Sequence, residues 1–221
     1  MPWRTDAAVV LLSGGQDSTT CLAWALDRFA HVEAVTIDYG QRHRIELDAA
    51  VAIARRVGVA QSVIPCDAFA ALGGNALTGG VAVSSAPGPG GLPNTFVPGR
   101  NLVFLTLAAA YAWQRSIPAL VTGVCQTDYS GYPDCREDTM AAMQEALRRG
   151  MDAPFTIHTP LMHLTKAATV TMLRDLGRLD LLRDSHTCYE GRRPPCGACP
   201  ACVLRAKGFA EAGIADPLIG T

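Results

Sequence analysis

The sequence lacks an excess of basic residues and an apolar run long enough to cross a membrane. Its 19 Lys and Arg residues are matched by 20 Asp and Glu, so the formal net charge is -1. Broad electrostatic attraction to nucleic acid or to an anionic membrane is therefore not expected. The longest nearly unbroken apolar run, 102–113, falls short of the roughly 20 residues of a membrane helix. The first six residues lack the pattern of a secretory signal. We expect a cytoplasmic protein with small-molecule substrates and neither nucleic acid nor membrane as a partner.

Short apolar runs alternate with segments of helical periodicity along most of the chain. A hydrophobic fraction of 49% with 18% charged residues is typical of a globular protein. The pattern predicts strands at 7–12, 32–37, 61–66, 119–124 and 155–158, and helices at 18–29, 44–57, 101–115, 136–149 and 166–176. This alternation predicts an α/β fold with a doubly wound, mostly parallel sheet, whose ligands bind at the carboxyl ends of the strands. We assign residues 1–183 to this domain and 184–221 to a C-terminal segment packed on it.

A glycine-rich stretch, LSGGQDSTT at 12–20, follows the first predicted strand and runs directly into a helix. Gly14 and Gly15 let the backbone approach a ligand closely, and amides at a helix start attract phosphate. Asp17 is placed to hold Mg²⁺ or an orienting hydrogen bond. Neither of the two common phosphate-loop patterns is present. The alternative interpretation is a helix cap after a tight turn, because Ser and Asp are good caps.

Half of the eight cysteines crowd together near the C-terminus: Cys188, Cys196, Cys199 and Cys202. In a reducing compartment such a cluster indicates a metal site more often than disulfides. Four thiolates close a tetrahedral Zn²⁺ site of structural type, and an iron–sulfur cluster is the alternative. Three arginines accompany the cluster: Arg192, Arg193 and Arg205. We interpret them as a solvated rim rather than as a phosphate-binding patch.

Three further segments fall at strand ends or helix starts: 38–43 (DYGQRH), 96–101 (FVPGRN) and 122–136 (TGVCQTDYSGYPDCR). In a parallel sheet they share one edge with the glycine-rich stretch. Arg100 could meet phosphate there, and Asp128 or Asp134 could pair with the amidine edge of a guanine-like base. Turn chemistry is the alternative for each segment, and a helix cap is the alternative for Asp134 and Arg136.

The signature Ser-Gly-Gly-x-Asp-Ser at 13–18 resembles that of the pyrophosphate-loop family of ATP-using enzymes. Together with 38–43, 94–101, 122–136 and the cysteine cluster, it resembles the family of 7-cyano-7-deazaguanine synthases of queuosine precursor biosynthesis. The likeness extends from the first predicted strand to Arg205. It departs at Ala168, where the family often has Glu, and in the Gly-rich loop 73–93, which is poor in acidic residues.

This resemblance implies an adenine nucleotide alpha hydrolase-like fold, a homodimer, and a ligase with ATP, Mg²⁺ and structural Zn²⁺. The implied reaction converts 7-carboxy-7-deazaguanine and free ammonia to the nitrile by two successive adenylations, of the carboxylate and then of the amide. The implied catalytic residues are Ser13, Asp17, Ser18 and Lys166. The implied ATP-binding residues are Leu12, Ser13, Gly14, Gly15, Gln16, Asp17, Ser18, Thr19, Thr20, Cys21 and Leu22. The implied substrate-binding residues are Gln41, Arg42, Arg100, Asn101, Asp128, Tyr132, Asp134 and Arg136.

The reaction needs no covalent nucleophile, so we interpret Cys21, Cys125 and Cys135 as small buried hydrophobic residues. The loop 73–93 is predicted to be a lid over the phosphate site. Two other functions remain open. One is a tRNA-modifying relative with the same ATP loop, which the net charge of -1 disfavours. The other is a nucleotide sensor that uses the cysteine cluster for interactions and makes no AMP.

Overall fold

The computed structural model describes residues 2–41, 44–78, 91–126 and 131–219. Within these ranges the chain forms a five-stranded, wholly parallel sheet in the order β3-β2-β1-β4-β5. The strands are β1 Ala7–Leu11, β2 His31–Asp38, β3 Ala60–Pro65, β4 Ala119–Val121 and β5 Thr156–His158. The helices are α1 Gln16–Arg28, α2 Ile45–Arg56, α3 Ala68–Leu72, α4 Arg100–Trp113, α5 Glu137–Met151, α6 Lys166–Asp175 and α7 Pro200–Ala212. The predicted α/β fold with a parallel sheet is confirmed.

Helices cover both faces of the sheet, which explains the unbroken apolar sequence of β1. Side chains alternate between the faces along a strand. Val9 therefore packs in the core formed with α4 and α5, whereas Ala8 and Val10 pack in the core formed with α1 and α2. All three side chains are buried. The sheet is thus doubly wound, as the alternating pattern predicted.

The central strand β1 determines where a ligand can bind. It pairs with β2 on one side and with β4 on the other. The connections from β1 and from β4 therefore leave the sheet toward opposite sides, and a crevice opens between them at the carboxyl ends. The strand predicted at 119–124 ends at Val121, because the chain turns there into this crevice.

The last helix, α7, was not predicted from the sequence. It begins at Pro200, directly after Cys199, so the cysteines and prolines of the cluster obscure its periodicity. Proline is well suited to the first helical position because its missing N–H needs no partner there. Phe209 of α7 packs against Val170 and Leu173 of α6 and against Leu182. None of the helices described here is long and apolar enough to cross a membrane.

Candidate active site

A cavity of about 330 Å³ opens at the carboxyl end of the sheet. Residues from many separate parts of the chain line it: the β1–α1 loop, the end of β2, the start of α2, Leu77, the start of α4, the residues after β4, Tyr132 and Cys135, Lys166, and the C-terminal segment with α7. The segments predicted to share one edge of the sheet are therefore brought together where they are described. The cavity is the candidate active site.

The β1–α1 loop is braced by its own hydroxyl groups. The backbone N–H and the Oγ of Ser13 both donate to Ser18 Oγ, at 3.2 and 3.0 Å, and Ser18 Oγ donates to the Gly15 carbonyl at 3.1 Å. The N-cap residue of α1 is Gly15, and no side chain caps the helix. The capping interpretation therefore does not account for this loop. The first-turn N–H groups of α1 stay available to an anion.

Gly14 fits this loop because no side chain could. Its φ is +84°, and a Cβ there would lie 2.4 Å from the Glu46 carbonyl oxygen and 2.7 Å from the Ala50 nitrogen. On the other side, the Gly14 carbonyl accepts a hydrogen bond of 2.8 Å from the backbone N–H of His186. The loop is thus held between α2 and the C-terminal segment.

An ion pair connects the start of α1, directly after the loop, to the start of α6. Lys166 Nζ donates to Asp17 Oδ2 at 2.5 Å, and the two side chains are only 16% and 26% exposed. The backbone of Lys166 packs against Gly208 of α7, where an added Cβ would lie 2.7 Å from Lys166 Cβ. Helix α7 therefore helps to position the lysine.

Three buried polar atoms of the described residues have no hydrogen-bond partner: Gln16 Nε2, Asp17 Oδ1 and Arg100 Nε. All three residues line the cavity. Unpaired buried polar groups are costly and therefore uncommon in folded proteins. Their convergence on one cavity indicates a site for a polar ligand that supplies the missing partners.

The cysteine cluster forms a compact group of four sulfur atoms, all within 4.8 Å of one another. Tetrahedral Zn²⁺ with bonds of 2.3 Å separates its sulfur ligands by about 3.8 Å, and Cys196 Sγ lies 3.9 Å from Cys202 Sγ. The backbone N–H groups of Ala198 and Cys199 lower the pKa of Cys196 to about 6, which favours its thiolate form. The cluster could hold a single metal ion, because a four-iron cluster would hold its thiolates farther apart.

The interpretation of Arg205 as part of a solvated rim is wrong. Its side chain is 3% exposed and forms two hydrogen bonds with Asp216, at 2.6 and 2.8 Å. It also donates to the hydroxyls of Ser185 and Thr187. Arg205 therefore connects α7 to the segment that follows Leu182, and Thr187 of that segment lines the cavity.

Comparison with known proteins places the chain in a family. A family model described as "Queuosine biosynthesis protein QueC" matches residues 7–213. The chain belongs to the QueC family. It is similar to the 7-cyano-7-deazaguanine synthase of Laribacter hongkongensis, with 63% identity over 217 residues, 97% of this chain and 94% of that protein. It is equally similar to the synthase of that name from Chromobacterium violaceum, with 63% identity over 221 residues, 97% of this chain and 93% of that protein.

The fold of this QueC-family chain is also similar to a solved structure titled "U34-tRNA thiolase NcsA from Methanococcus maripaludis with its [4Fe-4S] cluster". The TM-score is 0.52 and the identity is 14%, over 94% of this chain and 66% of that one. At this identity the likeness shows the fold alone.

The structure brings together most of the residues predicted to bind ATP. The four predicted catalytic residues, Ser13, Asp17, Ser18 and Lys166, all line the cavity, as do Leu12, Gly15 and Gln16. Gly14 does not line it, because it packs against α2. The later residues of the stretch do not line it either: Thr19, Thr20, Cys21 and Leu22. They are buried because α1 turns them away from the loop, and the hydroxyls of Thr19 and Thr20 bind backbone carbonyls.

Of the residues predicted to bind the substrate, only some line the cavity. Gln41, Arg100, Asn101 and Tyr132 line the cavity, whereas Asp134 and Arg136 do not. Arg136 instead lines a smaller pocket with Gln126. Arg42 and Asp128 lie outside the described residues, as does part of the predicted lid, at 79–90.

Asp134 has a structural partner. Its buried carboxylate accepts a 3.0 Å hydrogen bond from the backbone N–H of Asn101, in the first turn of α4. The helix-cap alternative thus applies to Asp134, although the capped helix is α4 and not the following helix α5.

Sequence reasoning missed several residues that line the cavity, among them Tyr39, Glu46, Thr187 and Tyr189. Tyr39 lies within a segment that was singled out. Glu46 lies inside a predicted helix, where an acidic residue in the first turn is ordinary. The one sequence feature that could have pointed to Glu46 was its position shortly after the strand-end segment 38–43.

Proposed function

We propose that this chain converts 7-carboxy-7-deazaguanine, ammonia and two molecules of ATP to 7-cyano-7-deazaguanine, two AMP and two pyrophosphate. The observation that supports it best is one cavity, in a QueC-family chain, that combines a pyrophosphate loop with a separate polar wall formed by Gln41, Arg100, Asn101 and Tyr132. An enzyme that adenylates a small molecule must hold ATP and that molecule side by side.

In the first half-reaction, a carboxylate oxygen of the substrate attacks the α-phosphorus of ATP, and pyrophosphate leaves. A carboxylate is a poor electrophile, and adenylation turns its oxygen into a leaving group. Ammonia then attacks the carbonyl carbon and loses a proton as AMP departs. The product of this half-reaction is the amide.

In the second half-reaction, the amide oxygen attacks the α-phosphorus of another ATP, and pyrophosphate leaves again. The amide nitrogen loses its two protons as AMP departs, which leaves the nitrile. Both half-reactions transfer AMP to an oxygen on the same carbon. One cavity can therefore serve both without a covalent nucleophile.

The residues of the β1–α1 loop would bind the phosphates. The first-turn N–H groups of α1 and the hydroxyls of Ser13 and Ser18 are donors for the negative charge that develops on pyrophosphate. Lys166 Nζ adds a positive charge beside them, and Asp17 keeps it in place. Gln41, Asn101 and Tyr132 belong to the wall that we assign to the substrate.

The metal ions have separate roles. Asp17 Oδ1, which is buried without a partner, suits Mg²⁺ that accompanies ATP and supplies positive charge toward the phosphates. The four cysteines would hold Zn²⁺ as a structural link with no open coordination position. Through the Gly14–His186 hydrogen bond, this link would also support the phosphate loop.

We further propose the division into an α/β domain at 1–183 and a zinc-binding segment at 184–221, in a cytoplasmic homodimer. The contacts of Phe209 and Arg205 described above support a segment that packs closely on the domain.

The test is mass spectrometry of purified protein with ATP, Mg²⁺, ammonium and 7-carboxy-7-deazaguanine, with AMP and ADP measured in the same sample. We expect the nitrile with two AMP per nitrile and no ADP. Glutamine in place of ammonium should not support turnover. ATP binding without AMP would favour a nucleotide sensor, and AMP formed only with tRNA would favour a tRNA-modifying enzyme.

A further inference from the structure

We propose that Glu46 is a specificity-determining residue, whose carboxylate binds the ring N–H and the 2-amino group of the substrate's guanine-like edge. This inference rests on the proposed function and assigns a part of its binding site. Glu46 lies in the first turn of α2, which comes after the segment that follows β2 in the chain. It lines the cavity.

The carboxylate of Glu46 has no partner within the parts of the chain that the structure describes. Arg100 attracts it electrostatically, but no ion pair within 4.0 Å joins the two side chains. Burial raises the pKa of Glu46 to about 7, and the nearby Arg100 offsets only part of this effect. Glu46 is half-buried, and a carboxylate shielded from water without hydrogen bonds is costly to the fold. Such a group at a cavity wall is suited to a ligand that donates to it.

The chemistry of the ligand follows from the two neighbouring groups. An ionised carboxylate only accepts hydrogen bonds, and its two oxygens can take two adjacent donors. The guanidinium of Arg100 only donates, and its Nε is buried without a partner. An edge that fits both has one acceptor followed by two donors. The keto oxygen, ring N–H and 2-amino group of a 7-deazaguanine have this order.

The adenine ring of ATP fits less well. Its amino group lies beside ring nitrogens that carry lone pairs, so one oxygen of a carboxylate would face a lone pair instead of a donor. The complementarity therefore favours the substrate as the ligand of Glu46.

Asp134, which the sequence suggested for this role, has a structural role at the start of α4 instead. Its Oδ2 accepts from the backbone of α4, and its side chain does not line the cavity. Glu46 is a carboxylate that does line the cavity, and none of the described residues forms a hydrogen bond with its oxygens.

The experiment compares 7-carboxy-7-deazaguanine with its analogue that lacks the 2-amino group, in nitrile formation by the intact protein. We expect the wild-type protein to prefer the amino compound by about 10- to 100-fold in kcat/KM, since a half-buried carboxylate loses a charged hydrogen bond with the analogue. Glu46→Gln should reduce this preference to within about 3-fold by raising the KM of the amino compound. The KM of ATP should not change.

Two variants serve as controls. Asp48→Asn removes a carboxylate from the exposed face of the same helix and should behave as the wild-type protein does. Glu46→Asp keeps the carboxylate and should retain a preference for the amino compound at reduced affinity. An undiminished preference in Glu46→Gln would overturn the assignment, as would a raised KM for ATP with an unchanged KM for the substrate. Absence of nitrile from the wild-type protein would contradict the proposed function itself, and the assignment with it.

Discussion

The two sides of the cavity are built in different ways. The phosphate side consists of one short loop whose hydroxyls bond one another, so its geometry exists before any ligand arrives. The base side is assembled from Tyr39, Glu46 and Arg100, which come from three parts of the chain, and the Nε of Arg100 is left unpaired. Under the proposed function, the first arrangement would bind a nucleoside triphosphate through its phosphates. The second would need a particular ligand edge to complete its hydrogen bonds. We therefore expect ATP use and substrate choice to be separable by mutation.

The largest expected effect is that of replacing Lys166, which belongs to the phosphate side of the cavity and not to the base side. Lys166→Ala removes the positive charge beside the leaving pyrophosphate, and we expect kcat to fall by about 10²- to 10³-fold. The preference for the 2-amino substrate should remain, because the base side is unchanged. AMP formation in a steady-state assay gives both quantities. Lys207→Ala, at an exposed position of α7, is the control and should keep normal activity.

A second prediction tests whether the phosphate loop depends on close packing. Gly14→Ala combines a positive φ with a Cβ 2.4 Å from a backbone oxygen, so the loop must shift. We expect ATP affinity to fall by about 10-fold or more, because phosphate donors lose their alignment. Gly58→Ala is the matched control, with φ +70° and no atom within 4 Å of the added Cβ.

The control should show strain alone, a loss of about 1 kcal/mol in the free energy of unfolding. Calorimetric titration with ATP and thermal unfolding distinguish the two variants. Equal ATP affinities for both would mean that the packing of Gly14 is irrelevant to phosphate binding.

The smallest expected effect is the pH dependence of substrate binding, which tests the role of Glu46 on the base side. Because the substrate edge donates to an ionised carboxylate, its binding should strengthen as pH rises through the pKa of Glu46, about 7. The ionised fraction increases by about 10-fold between pH 6 and 8, and the dissociation constant should decrease accordingly. Among the described residues, Glu46 interacts electrostatically with Arg100 and Tyr39, and neither titrates in this range, since Arg100 stays charged and burial raises the pKa of Tyr39 above its ordinary value.

Direct titration of the substrate without ATP avoids the pH dependence of ammonia. The curve for Glu46→Gln should be flat. A pH-dependent curve in that variant would assign the titration to another group.

A contrast between local patterns and long-range contacts explains which features could be predicted from the sequence. The sheet, ten of its strands and helices and the glycine-rich loop depend on local patterns, and these were predicted to within a few residues, whereas α3 and α7 were not predicted. Glu46 and Arg205 depend on long-range contacts. Nothing in the residues around Arg205 indicates that Asp216 will fold back onto it, so a buried arginine was interpreted as a solvated one. The cap on α4 was missed for the same reason, because Asp134 is 33 residues from its partner Asn101.

The central claim is that one cavity carries out two successive adenylations, each of an oxygen on the same substrate carbon. The most direct test supplies the amide, 7-carboxamido-7-deazaguanine, with ATP and Mg²⁺ but without ammonium, and counts nitrile and AMP by mass spectrometry. We predict nitrile with one AMP per molecule, half the number that the acid requires. Failure of the amide to yield nitrile, under conditions in which the acid and ammonium do, would contradict the account.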